Sequence, residues 1–168
     1  MADDCRLPER EFRQTFPADP MLVRSALRAA VARYMRRMTS EEAGTMELVL
    51  AEVLNNIVEH AYAGRKGGMI DLSISVTGRG LEVRVADQGL PMPGGVLPAG
   101  LAPSLKVSGG TQDLPEGGFG WFLIHDLTQD IDYLRDGRTN RLRFVLPLRR
   151  EGAVMPESCP IASALGSD

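Results

Sequence analysis

Cysteine is nearly absent from this chain: there are two among 168 residues, Cys5 and Cys159, near opposite ends. Neither has another cysteine nearby or a metal-ligand spacing, which argues against a disulfide framework and a zinc site. No apolar run is long enough to cross a bilayer, and a start carrying Asp3 and Asp4 does not have the form of a signal peptide. The expectation is a cytoplasmic protein without membrane contact. Positive charge is not in excess either. A net charge of -3 argues against a protein held to nucleic acid by phosphate contacts. Internal repeats and low-complexity tracts are also missing, which removes solenoids and arrays.

What remains is the composition of an ordinary globular domain, 43% hydrophobic and 24% charged, and long enough to bury a core. The expected divisions are a flexible start over 1–9, one folded domain over 10–148, and a disordered tail over 149–168.

Residues 47–64 organise the rest. Met46, Val49, Leu50, Val53, Ile57 and Ala61 recur at helical spacing and form an apolar stripe wide enough to dock on a sheet. Off that stripe, Glu52, Asn56 and His60 stand four residues apart, so a carboxylate, an amide and an imidazole share one helix face. Such a row is either a solvated face or the wall of a site. Thr39 and Glu42 form a capping-box pattern that starts this helix, and Gly64 is placed to end it in a left-handed cap.

Upstream, Phe12, Gln14 and Phe16 alternate as in a short edge strand. Asp19-Pro20 opens a helix to about Met38, with Val23, Leu27, Ala30, Val31, Tyr34 and Met38 inward. Its five outward arginines, Arg24, Arg28, Arg33, Arg36 and Arg37, make either a solvated face or a docking surface for an acidic partner. Downstream, Ile70, Leu72, Ile74 and Val76 alternate with polar neighbours. Leu81, Val83 and Val85 do so again after a Thr77-Gly78-Arg79-Gly80 turn, which is a hairpin.

That hairpin ends in Asp87-Gln88-Gly89, which reads as a plain turn or as a buried acceptor for an adenine amino group with glycine leaving the base room. Residues 90–116, rich in proline and glycine, have no sustained period and read as a lid over a nucleotide, with a short helical turn at 101–107. Gly117-Gly118-Phe119-Gly120 then opens an apolar helix through Leu127, expected to be buried. Glycines at a helix start let backbone N–H groups face a phosphate, although a tight loop before a core helix has the same pattern. Ile131 and Tyr133, then Leu142, Phe144 and Leu146, supply two more strands around Asp136-Gly137-Arg138.

With these residues in place, the chain over roughly 10–148 resembles the histidine-kinase-like ATPase superfamily, also called GHKL or Bergerat-fold. Its three boxes correspond to Glu52, Asn56 and His60, to Asp87-x-Gly89, and to Gly118-x-Gly120. It is most similar to the single-domain anti-sigma-factor serine/threonine kinases of the RsbW and SpoIIAB type. The resemblance implies an α+β fold: a two-layer sandwich whose mixed, mostly antiparallel sheet is covered on one face by helices.

It further implies ATP or ADP with Mg²⁺ as cofactors. Asn56 would be both nucleotide-binding and the metal ligand, and Glu52 would be the catalytic residue that orients or deprotonates the attacking hydroxyl. Asp87 and Gly89 would hold adenine, and Gly118 and Gly120 would wrap the phosphates. The implied partners are a STAS-type anti-anti-sigma antagonist and a sigma factor, with no direct nucleic acid. Relatives in this branch are commonly homodimers. No upstream dimerisation helix with a phosphoacceptor histidine is seen, so a complete sensor kinase is not expected. Asn140 occupies a late strand position where many relatives carry threonine near the adenine. A non-catalytic binding protein gated by nucleotide is the competing reading.

Overall fold

The computed structural model describes residues 11–100 and 119–149. The expected flexible start over 1–9, the tail from 150 onward, Gly118, and lid residues 101–116 with their helical turn all lie outside the described residues. Within them a single five-stranded sheet is backed by three helices. The strands are β1 (Phe12–Pro17), β2 (Met69–Thr77), β3 (Gly80–Asp87), β4 (Gln129–Asp136) and β5 (Thr139–Pro147). They lie in the order β1-β2-β3-β5-β4, and every neighbouring pair is antiparallel. The two-layer α+β architecture expected from the sequence is thus the one observed, with no parallel pair in the sheet described.

Alternation sorts the sheet into two faces. Ile70, Leu72, Ile74, Leu81, Val83, Val85, Leu142, Phe144 and Leu146 all point into one buried cluster with the helices. Each such side chain removed from water stabilises the fold by about 1.5–3 kcal/mol. The opposite face carries Arg13, Asp71, Arg84, Asp132, Arg141 and Arg143, the polar half of the same alternation.

Helix α1 (Pro20–Tyr34) starts where Asp19 accepts hydrogen bonds from the N–H groups of Met21 and Leu22, with Pro20 in the first turn. Its last residue, Tyr34, donates its hydroxyl to the Ile74 carbonyl at 2.7 Å and accepts from the Phe12 N–H. Helix α2 (Ser40–Asn56) begins with the expected capping box, Thr39 and Glu42 each bonding the other's backbone N–H. Both helices bury their apolar faces on the sheet, and α2 occupies the centre.

The expectation for the end of α2 changes in one respect. The helix does not run straight to Gly64 but widens into a π turn over Ile57–Ala61, where the Tyr62 N–H bonds the Ile57 carbonyl five residues back. A π turn inserts a residue into the helical count and rotates the side chains beyond it. Ile57 and Ala61, expected in the core stripe, are only half-buried: both line a cavity, and Ile57 also packs against the core. Gly64 does take positive φ, at 77°.

Helix α3 (Phe119–Leu127) corrects a second expectation. Its apolar run suggested burial all round, yet only Ile124 is fully buried and Phe119 is 49% exposed. A nine-residue helix lying on α2 presents one narrow row to the core, and Trp121 faces the cavity rather than the core centre.

Candidate functional site

A cavity of about 420 Å³ opens between α2, α3 and the ends of β3 and β5. This lies within the range of roughly 300–1,000 Å³ usual for small-molecule sites. One wall comes from α2 and its π turn, with Val53, Asn56, Ile57, His60 and Ala61. Val85 and Leu142 line it from the sheet, Trp121 from α3, and residues 90–93 and Pro98 form the rim. The wall is mostly apolar and flat, with three polar groups, Asp87, Asn140 and Tyr133, gathered at the sheet end.

Asp87 is 6% exposed at the last position of β3, and in the β3–β5 register it lies directly opposite Asn140. Its Oδ1 accepts from the Gly89 N–H at 2.8 Å and from Asn140 Nδ2 at 2.8 Å. Burial pushes the carboxyl above the usual aspartate range, against the Asn140 and Gly89 hydrogen bonds and the Arg135 guanidinium, which pull it down. Asn140 is itself held by the Tyr133 hydroxyl and by Arg135, both donating to its Oδ1. Arg135 also donates to the Gly89 carbonyl, and the Met92 N–H donates to the Tyr133 oxygen. Strands β4 and β5 thereby grip the first residues of the rim.

At the other end stand Glu52 and Asn56. The Asn56 side-chain nitrogen is buried without a hydrogen-bond partner among the described residues. Leaving such a donor unmet costs about 1–3 kcal/mol, which marks a site awaiting a polar ligand. Gly120, near the start of α3, packs so closely on Glu52 that a Cβ there would overlap the carboxylate, and that Cβ would come within 3.8 Å of the Asn56 nitrogen. Glycine at this point lets the α3 backbone lie against the acid and the amide.

These residues suit Mg²⁺. No group of three acidic, histidine or cysteine side chains is gathered among the described residues, so those residues offer no complete cage. Asn56 could supply one hard oxygen ligand, with phosphate oxygens and water completing the shell that this ion prefers.

Gly89 takes a different position from the one its expected role suggested. It is not on the wall of the cavity, and the space where its side chain would stand is filled by Ala61, whose carbonyl oxygen would be 2.5 Å from a Cβ. The Leu90 N–H bonds that same carbonyl at 2.7 Å. Glycine is needed here for the close approach of the strand end to the π turn.

Asn56 and Asp87 therefore line one cavity, Glu52 and Gly120 pack on each other beside Asn56, and Gly89 lies behind Asp87. Sequence reading passed over Tyr133 and Arg135, whose polar ends meet Asn140 only through strand pairing. For Asn140 a signal existed, since an amide stands at an inward position in the run of Leu142, Phe144 and Leu146. Tyr62 was also missed. Its hydroxyl donates to the Met69 carbonyl and accepts from the Gln88 N–H, tying the strand ends behind Asp87.

Residues 16–146 match the family described as histidine kinase-like ATPase domain. The serine-protein kinase RsbW of Halalkalibacterium halodurans is 32% identical over 124 residues, covering 73% of this chain and 74% of that protein. RsbW of Bacillus cereus is 33% identical over 91 residues, covering 54% of this chain and 56% of its own length. Among solved structures, the blue-light activated histidine kinase of Erythrobacter litoralis aligns at 25% identity with a TM-score of 0.45. That alignment covers 66% of this chain and 32% of the kinase.

Proposed function

This chain belongs to the histidine kinase-like ATPase domain family, and from that premise we propose that it is an ATP-binding serine/threonine protein kinase of the anti-sigma-factor type. It phosphorylates a STAS-type anti-anti-sigma antagonist in the cytoplasm and switches between that partner and a sigma factor. The observation that carries the reading is a single cavity lined by both Asn56 and Asp87, with Glu52 one turn before Asn56 on α2 and packed against Gly120. The RsbW relatives, named serine-protein kinases, support the choice of reaction.

Adenine enters the apolar slot between Ile57, Ala61 and Leu142, and its amino group donates to Asp87. The triphosphate then runs toward Asn56 and the start of α3, where the glycine pair Gly118 and Gly120 is the proposed phosphate-wrapping segment. Asn56 would hold Mg²⁺, which would supply charge neutralisation for the phosphate oxygens. Glu52 orients the attacking serine or threonine hydroxyl and accepts its proton. Gly89 serves the same site indirectly, by letting Asp87 sit against the π turn. Phosphoryl transfer asks chiefly for position and charge neutralisation, so this small set suffices.

The test is incubation with Mg-ATP and a STAS-domain antagonist, followed by mass spectrometry and calorimetry with ATP and ADP. A stoichiometric phosphoserine or phosphothreonine on the antagonist is expected. Nucleotide binding without any phosphoprotein would support the second reading, a partner-binding protein gated by nucleotide. The exposed Arg24 and Arg28 of α1, with Arg36 in the turn that follows it, favour that alternative as a docking face.

A further inference from the structure

Asn140 has no hydrogen-bonding capacity to spare. Its Nδ2 donates to Asp87 Oδ1 at 2.8 Å and to the Leu90 carbonyl at 3.0 Å. Its Oδ1 accepts from the Tyr133 hydroxyl at 2.7 Å and from Arg135 Nη1 at 2.6 Å. A side-chain amide has two donor hydrogens and two acceptor lone pairs, and all four are used. The orientation is also determined. Arginine can only donate, so the atom it meets must be the oxygen, and the nitrogen must face Asp87. Asn140 therefore has nothing left to offer a base directly.

The consequence falls on Asp87. Its Oδ1 already accepts two hydrogen bonds, from Asn140 and from the Gly89 N–H, so both of its lone pairs are occupied. No hydrogen bond among the described residues goes to Oδ2. A base that enters the cavity therefore meets one open oxygen instead of two. This matters because the two amino-bearing purines approach a carboxylate differently. Adenine offers a single amino donor beside an acceptor nitrogen. Guanine offers two parallel donors, N1–H and N2–H, which pair best with both oxygens of a carboxylate at once, as an arginine fork does.

We propose that Asn140 is a positioning residue for base selection: by occupying Asp87 Oδ1 it denies guanine its two-oxygen pairing and leaves the single acceptor that suits adenine. Tyr133 and Arg135 hold the amide in that role from β4. The inference rests on the nucleotide-site reading given above, and it adds which nucleotides the site refuses and by what means.

The experiment measures dissociation constants of ADP, GDP and IDP, with Mg²⁺, for the wild type and for Asn140→Leu and Tyr133→Phe. IDP keeps N1–H but lacks the amino group at C2, so the ratio of GDP to IDP affinity reports two-oxygen pairing alone. The wild type is expected to prefer ADP and to bind GDP and IDP comparably weakly. In Asn140→Leu the preference for ADP over GDP should narrow about tenfold, the worth of one hydrogen bond to a charged group, and GDP should gain over IDP. Tyr133→Phe, which frees one side of the amide, should move both ratios in the same direction by less. It decides the matter if the leucine variant does not fold.

Equal weakening of all three nucleotides, or unchanged ratios, would assign Asn140 a merely structural part and overturn the proposal while leaving the nucleotide site standing. A wild type that binds none of the three would overturn the nucleotide-site reading and this inference with it.

Discussion

Asp87 and Asn140 face each other across the β3–β5 pair, buried side by side, with Asn140 Nδ2 2.8 Å from Asp87 Oδ1. The donors around the carboxylate do not fully offset its burial, and its pKa is raised. A group raised in the folded state adds stability fully below its unfolded pKa, and that stability is lost as pH rises through the folded pKa. Above its folded pKa the ionised Asp87 is therefore a cost to the empty protein. Asp87→Asn, which carries no charge there, should melt higher than the wild type on the alkaline side of that pKa, by a difference that vanishes as pH falls through it. The same variant should lose the stabilisation that Mg-ADP confers on the wild type. A lower melting temperature without nucleotide would contradict this account of the carboxylate.

Glu52 and Gly120 make a second pair. Glu52→Gln keeps the shape of the side chain but removes the base, so Mg-ADP affinity should stay within about threefold while transfer to the antagonist falls by roughly 10²-fold or more. In Gly120→Ala the new methyl group displaces the Glu52 carboxylate and comes into contact with Asn56, so transfer and nucleotide affinity should fall together. Single-turnover rates beside calorimetry separate the two patterns.

Gly89→Ala tests the packing behind the site. Its methyl group would overlap Ala61 and break the 2.7 Å bond from the Leu90 N–H to the Ala61 carbonyl. Overpacking of this kind costs about 1–3 kcal/mol, which a urea titration would read as a lower midpoint. Nucleotide should also bind more weakly, because Asp87 moves with its strand end. An unchanged midpoint would mean that the π turn yields freely.

On the open face of the sheet, Glu82 is held between Arg143, which donates at 2.9 Å, and Arg84. The Arg143 hydrogen bond holds its carboxyl below the usual glutamate range, against the opposing effect of burial and with further help from Arg84. A depressed carboxylate stabilises above its unfolded pKa, and that contribution disappears as pH falls through the folded pKa. Glu82→Gln should therefore cost about 1 kcal/mol at pH 7, given that both arginines are partly exposed. The difference from the wild type should shrink below the ordinary glutamate range. Thermal melts across pH 3–7 would show whether the two curves converge.

Much of this molecule was legible because its signals are local. A capping box spans four residues, a hairpin turn spans four, and a helical face repeats every four, so Thr39 with Glu42, the turn at 77–80, and the row of Glu52, Asn56 and His60 could be read directly. Asn140 was legible through the resemblance, as a late strand position near the adenine, whereas Tyr133 was legible only as a strand residue, since a strand tyrosine is ordinary core material. The apolar run of α3 misled because hydrophobicity states what can be buried, whereas the space left beside α2 limits what is.

By itself the sequence determined the order of elements, the two faces of the sheet and the residue types available for an ATP site, since these come from periodicity and short-range backbone chemistry. The tertiary structure decided which of those groups meet. The π turn sets Ile57 and Ala61 along the wall of the cavity, where Ile57 still touches the core. The antiparallel register joins Asp87 to Asn140 across 53 residues of chain and closes one carboxylate oxygen while leaving the other open. No local pattern encodes that choice, because it depends on where two distant strands stop sliding past each other, and their buried faces settle that together.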